Sequence, residues 1–178
     1  MKLSEDIFNE IISELENTPI ISDKEYKKLI SVVERFDELN EDSDGYDKTQ
    51  QPVEGKGKVS NKKFVWYSLT NEKLKDLLSS ISKRDKSELL TIYTIDAYPP
   101  EFTVPHIDKA SELTLTILLE DDFEGGDYIV NDNRVTHMNE KGAYILWKGK
   151  TDIHSCEPLT KGFKKTLIAW YRKPTTLL

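Results

Sequence analysis

His106, Asp108 and His154 are the residues of this chain whose types and spacing best suit chemistry. The first two stand in Val104-Pro105-His106-Ile107-Asp108, the third at the head of a stretch running to Trp170. Two imidazoles and a carboxylate are a sufficient set of metal ligands. In an extended segment side chains alternate with a period of two, so His-x-Asp sends both groups to one face. A distant His154 then completes a triangular face around an ion. The opposite positions stay open, which suits non-haem Fe(II) and oxygen chemistry. Taken alone each piece is weak, since a lone strand histidine is usually a hydrogen-bonded packing residue. What adds weight is Lys164, ten residues after His154. Alternation groups Lys164, Thr166, Ile168 and Trp170 on one face, with Lys165, Leu167, Ala169 and Tyr171 on the other. A lysine directed into an apolar interior is costly unless an anion meets it. The bland alternative has Lys164 facing solvent, and periodicity does not choose between the faces.

The motifs around these residues have a familiar order. Pro105-His106-Ile107-Asp108 precedes the apolar run 113–119 and Gly125-Gly126-Asp127. Gly142-Ala143-Tyr144-Ile145-Leu146-Trp147 follows, then His154, Pro158, Gly162, Lys164, Leu167 and Trp170. Residues 91–172 thereby resemble the 2-oxoglutarate/Fe(II)-dependent oxygenases, in particular their prolyl-4-hydroxylase-like branch. The resemblance implies His106, Asp108 and His154 as iron ligands and catalytic centre, and Lys164 as partner of the co-substrate's distal carboxylate. A tyrosine often supports that carboxylate in the family, but Tyr93 and Tyr98 sit at awkward offsets from His106 and neither is assigned. The implied cofactors are Fe(II) and 2-oxoglutarate, with ascorbate as an optional accessory. The implied reaction hydroxylates a C–H bond and releases succinate and CO2. A prolyl or other side chain in a protein or peptide is the first substrate to consider, and a small molecule remains open. The alternative is a metal-binding protein on the same scaffold that is non-catalytic or differently reactive, for instance through zinc.

The elements that must position these residues begin with two amphipathic helices. Ser4 caps the first, whose stripe is Ile7, Phe8, Ile11, Ile12 and Leu15. Ser22-x-x-Glu25 opens the second, with Tyr26, Leu29, Ile30, Val33 and Phe36 as its stripe. Residues 41–63 turn acidic, then basic and glycine-containing, which suits a flexible loop or a lid over a substrate. Residues 64–69 read as a strand, and a helix capped by Thr70 or Asn71 follows. Further strands are expected at 89–97, 113–119, 127–131, 142–147 and 164–172. The expected fold is mainly β with flanking α: a double-stranded β-helix, or jelly roll, of the cupin-like kind, with the N-terminal helices packed outside the larger sheet. One oxygenase domain over 1–178 is expected, with helices in 1–40 and the β-helix core in 64–173.

Composition sets the outer bounds. The chain has 178 residues, enough to bury a real core, and a net charge of −7. That balance disfavours nucleic acid and anionic membranes as partners. Cys156 is the only cysteine, so an internal disulfide is excluded and a cytoplasmic, reducing compartment is expected. It is read as a packing residue and His137 as part of an exposed hairpin; neither is read as a metal ligand. Gly125-Gly126 is read as a tight entry to a strand.

Overall fold

The computed structural model describes residues 1–40 and 61–174, with residues 34–40 described by backbone alone. The expected lid at 41–60 lies outside the described residues. The helices are α1 (Glu5–Glu16), α2 (Asp23–Asn40) and α3 (Glu72–Ser82). The strands are β1 (Ile20–Ile21), β2 (Lys62–Tyr67), β3 (Leu89–Ala97), β4 (Thr103–His106), β5 (Leu113–Glu120), β6 (Phe123–Gly125), β7 (Tyr128–Val130), β8 (Asn133–Arg134), β9 (Tyr144–Trp147), β10 (His154–Cys156), β11 (Leu159–Gly162) and β12 (Lys164–Tyr171). They form a six-stranded sheet in the order β1-β2-β3-β12-β5-β9, a four-stranded sheet β4-β10-β7-β8, and the pair β11-β6. All pairings are antiparallel. This is the double-stranded β-helix with flanking helices that the sequence leads one to expect.

Alternation along β12 divides the large sheet into two working faces. Leu167, Ala169 and Tyr171 join Leu115, Ile117 and Leu119 of β5 and Ile92 of β3 in one apolar cluster. Ile11 and Leu15 of α1 and Leu74 and Leu78 of α3 close it from outside. The two helices are joined by one asparagine. Asn71 caps α3 by accepting from the Leu74 N–H at 3.1 Å, while its amide donates to Glu14 O at 3.1 Å and Thr18 Oγ1 at 2.9 Å. The end of one helix is thus tied to the start of another, and two sets of orphan backbone groups are met together.

The other face carries Lys164, Thr166, Ile168 and Trp170, and it borders a cavity of about 780 Å³. Lys164 is 3% exposed, so the face question left open by periodicity is resolved with Lys164 inward. α1 packs outside the large sheet as expected, whereas α2 does not share that face. Its Tyr26 and Ile30 line the cavity. The reason is local: Tyr26 stacks on Trp66 of β2, and Trp66 Nε1 donates to Asp23 Oδ1 at 2.7 Å. A tryptophan on the inner face of the edge-proximal strand therefore recruits α2 to the cavity side. Lys62 and Lys63, expected in the flexible stretch, open β2 instead.

Leu78 has no exposed surface, and Leu78→Ala should lower stability by about 2–5 kcal/mol through lost burial and an incompletely filled cavity. Urea unfolding followed by circular dichroism measures this; a loss under about 1 kcal/mol would mean that α3 is not a closing element of the core.

Candidate metal centre

His106 ends β4 and His154 begins β10, and the two are direct partners in the antiparallel register. That pairing brings together residues far apart in the chain, with ring centroids 4.3 Å apart. The register shifts between His154 and Cys156, which pair with His106 and Thr103. Pro105 lies in the interrupted part of the ladder, where its missing N–H costs no hydrogen bond. Strand β4 stops at His106, so Asp108 is presented from the following turn and not from a continuing strand. The Asp108 N–H donates to Gly149 O at 2.7 Å. Gly149 allows this approach because a Cβ there would lie 2.7 Å from Ser111 O and 2.8 Å from Ser111 Cβ.

One ligand atom from each of His106, Asp108 and His154 lies within 4.8 Å of the others. Nε2 of His154 is 2.9 Å from Asp108 Oδ2, and Nε2 of His106 is 3.6 Å from Asp108 Oδ1. The Nδ1 atoms are both engaged elsewhere, on Val104 O and Asp152 O at 2.8 Å each. Backbone carbonyls accept only, so each Nδ1 carries the proton and each Nε2 points its lone pair inward in the neutral ring. This orientation suits metal binding. Burial lowers the His106 pKa, and the Asp108 charge does not reverse it. Burial acts on His154 in the same sense, but the hydrogen bond and charge of Asp108 outweigh it and raise the pKa.

Lys164 stands apart from this triad on the same cavity wall. Its Nζ donates to Gly126 O at 2.8 Å, approaches Cys156 Sγ at 3.5 Å, and lies 3.9 Å above the Tyr128 ring centroid. Burial works against its charge, while Tyr128 and Cys156 outweigh that and raise its pKa. No carboxylate pairs with it among the described residues. Gly126, at φ +70, supplies the carbonyl, and a Cβ there would meet Leu159 Cδ2 at 2.8 Å. Gly125-Gly126 thus makes the tight turn expected, and its carbonyl also serves Lys164. Three further buried atoms on the cavity-lining residues have no hydrogen-bond partner among the described residues: Thr116 Oγ1, Trp147 Nε1 and Trp170 Nε1. Orphaned polar atoms beside an unpaired buried cation fit a polar, anionic occupant.

The other sequence-derived residues fall as follows. His137 is exposed, bonds Tyr144 O at 3.0 Å, and is not in the cluster. Cys156 donates to Gly126 O at 3.2 Å and lines the cavity; it too is outside the cluster. Burial pushes its thiol pKa up. Tyr98 is 50% exposed. Tyr93 lines the cavity, and burial, reinforced by the Asp108 charge, holds its phenol well above the ordinary range. Tyr128 was missed by the sequence reading. It is the tyrosine that meets Lys164, with Thr166 also hydrogen-bonded to it.

No protein-family model matches the chain, and no curated protein does. Among solved structures, it is similar to a viral collagen prolyl hydroxylase from Paramecium bursaria Chlorella virus-1, crystallised with 2-oxoglutarate. The TM-score is 0.52 at 17% identity, over 65% of this chain and 80% of that one. A Pseudomonas putida prolyl-4-hydroxylase gives 0.49 at 14% identity, over 82% and 88%. A Burkholderia pseudomallei oxidoreductase of the 2OG-Fe(II) oxygenase family gives 0.48 at 16%, over 60% of this chain and 53% of that one. The chain therefore spans about half the length of the Burkholderia protein. The resemblance to 2-oxoglutarate oxygenases stands at the level of fold, which is the double-stranded β-helix of the viral enzyme. No helix among the described residues is long and apolar enough to cross a membrane.

Metal binding by this triad should depend on pH with a definite sign. A metal ion displaces any proton on His154, whose pKa is raised. Apparent affinity should climb as pH rises toward and through that pKa and level off once the ring is neutral. His106, whose pKa is lowered, is neutral earlier and adds no slope there. Anaerobic Fe(II) titrations from about pH 6 to 8 cover the histidine range; a flat profile would remove His154 from the ligand set.

Proposed function

We propose that the chain is a 2-oxoglutarate- and Fe(II)-dependent oxygenase that hydroxylates a C–H bond of an amino-acid side chain. His106, Asp108 and His154 hold the iron. Lys164 takes the distal carboxylate of 2-oxoglutarate, with Tyr128 and Thr166 beside it. The single observation that carries this reading is that an unpaired, buried lysine and a two-His, one-Asp cluster open into one cavity. A structural lysine would find a carboxylate, and a structural triad has no need of a cation further along the same wall.

With iron and 2-oxoglutarate in place, the chemistry available is substrate C–H plus O2 plus 2-oxoglutarate giving C–OH plus succinate plus CO2. This chain's residues do the rest. The Nδ1 bonds of both histidines fix ring orientation, so the ligand face is set before an ion arrives. Asp108, held by Gly149, supplies one carboxylate and leaves room on the open side. Lys164 orients the co-substrate from its far end. Tyr93 and Trp147 wall the site with large rings and keep bulk water from the reacting centre. A prolyl side chain is the first to try, within a protein or peptide as the name of the viral hydroxylase suggests, or as a free amino acid. Ascorbate belongs in the assay as a reductant.

The co-substrate assignment has a direct test in the visible band that Fe(II) and 2-oxoglutarate give together without oxygen. Lys164→Ala should retain iron but shift the 2-oxoglutarate midpoint by about 3–5 kcal/mol in free energy, as when one partner of a buried pair is removed. Lys164→Arg should restore little, because a forked guanidinium does not fit where a compact ammonium did. Lys165→Ala, on the opposite face, should behave as wild type. Unchanged 2-oxoglutarate binding in Lys164→Ala would reject the assignment.

The ligand assignment is tested separately. Ala at His106, Asp108 or His154 should weaken Fe(II) binding severely and end succinate formation, whereas His137→Ala should do neither. Wild-type metal affinity in His154→Ala would remove the centre. Firm Fe(II) binding with no response to 2-oxoglutarate would keep the centre and discard the oxygenase.

A further inference from the structure

The triad and Lys164 account for one end of the cavity. The other end is bounded by β2, the approach to β4, and α2. Its wall is aromatic: Trp66 stacks on Tyr26 with centroids 3.4 Å apart and on Phe64 at 5.2 Å, and Tyr93 lies 4.8 Å from Trp66. Set into that wall is an ion pair that the oxygenase reading does not use. Lys62 Nζ lies 3.5 Å from Glu101 Oε1, with side-chain exposures of only 14% and 11%.

The pair is poorly made for stability. A charge-assisted N–H···O bond closes to roughly 2.7–2.9 Å, and a buried pair offsets its desolvation only with such geometry. Glu101 itself is firmly held. Its Oε2 accepts the Asn61 N–H at 2.7 Å, and the Asn61 amide donates to Pro99 O at 2.7 Å. Lys62 is the looser partner, reaching toward Glu101 while also lying 5.3 Å from the Phe64 ring centroid. Two opposite charges are thus held almost dry, side by side on the cavity wall, where a ligand bearing both can meet them from the cavity.

Their position matters. Lys62 is opposite Ala97 in the register, and Ala97 is opposite Lys164. The two lysines therefore occupy one row of the sheet, with about 10 Å between their Cα atoms from the strand spacing. Between them stands only a methyl group, so the cavity runs past Ala97 from one lysine to the other. An occupant anchored at Lys62 and Glu101 lies beside the co-substrate end, and a side chain running along the inner face of the sheet passes Phe64 and Tyr93.

Resting on the oxygenase reading above, we propose that the prime substrate is a free amino acid with an apolar side chain. Its carboxylate pairs with Lys62, its ammonium with Glu101, and its side chain lies along the aromatic wall toward the metal centre. A residue inside a polypeptide lacks both α-charges. It would press neutral amides against two desolvated ions, which a site built for polar partners rejects strongly.

The test uses the whole protein loaded anaerobically with Fe(II) and 2-oxoglutarate, and reads the visible band. Free L-proline, L-leucine, L-isoleucine and L-phenylalanine are titrated, then their N-acetyl and amide forms, then prolyl peptides. At least one free amino acid should perturb the band and, with oxygen admitted, accelerate succinate release. Capping either end should weaken that response about 30-fold or more, the scale of losing one partner of a buried charge pair. Lys62→Gln and Glu101→Gln should each move the amino-acid midpoint by a similar factor, far more than the 2-oxoglutarate midpoint. The neutral pair Lys62→Gln/Glu101→Gln guards against misfolding from a stranded charge and should show the same selective loss. Lys63→Gln, exposed on the other face, should change neither midpoint. Capped forms or peptides acting as well as free amino acids, or no free amino acid acting at all, would overturn this inference and leave the oxygenase standing. Absence of the 2-oxoglutarate band itself would instead overturn the oxygenase reading.

Discussion

The register between β4 and β10 is the constraint on which the candidate site depends. His106 and His154 are far apart in sequence, and only their direct pairing across an antiparallel ladder brings the rings together. A slip by one residue would turn one imidazole to the opposite face, because side chains alternate strictly. The fold guards that register from both sides. β10 is also paired with β7 from Cys156 to His154, and the turn after β4 is tied to Gly149. The short sheet is therefore clamped where long ladders are unavailable to fix it.

The large sheet solves a different problem, that of holding a charge inside a small protein. Its outer face is nearly all aliphatic and is covered by α1 and α3. Its inner face mixes threonines, aromatics and two lysines, Lys62 and Lys164. The outer face supplies the burial that stabilises the sheet. The inner face is thereby freed to carry Lys164 without a carboxylate and Thr116 without a partner, features that lower stability where they stand. Such local departures from good packing collect where a ligand is to be met.

Much of this was legible in the sequence, because the informative residues lie in segments with clear period. The strand 89–97 coincides with β3, and β5 and β12 fall within a residue of expectation. Their β-branched and apolar alternation leaves little choice. The meeting of His106, Asp108 and His154 was legible from residue type and order. The short strands β6, β8, β10 and β11 were not, since two to four residues carry no measurable period. The placement of α2 was also illegible: its stripe reads as core, and only the Trp66 stack decides which side of the sheet receives it. Tyr128 and the Lys62–Glu101 pair were missed for the same physical reason. Each becomes a neighbour of its partner only through sheet pairings that no local spacing encodes.

The overall charge makes the cavity's electrostatics more pointed. The chain carries a net −7, so at long range it repels a dianion such as 2-oxoglutarate. That repulsion is screened over about 8 Å at physiological salt. Selection of an anion must then occur at contact, and there the relevant quantity is how dry the cation is. Lys164 is buried and held by a carbonyl, a thiol and an aromatic face, none of which neutralises it. Lys62, two strands away, is already matched by Glu101. One cavity wall thus presents an uncompensated positive charge and, on the far side of Ala97, a compensated pair. An anion gains most at Lys164, whereas at Lys62 it must displace or share Glu101. A ligand bringing its own positive group avoids that conflict. On the proposed reading, the same wall would sort two ligands of different net charge by contact alone.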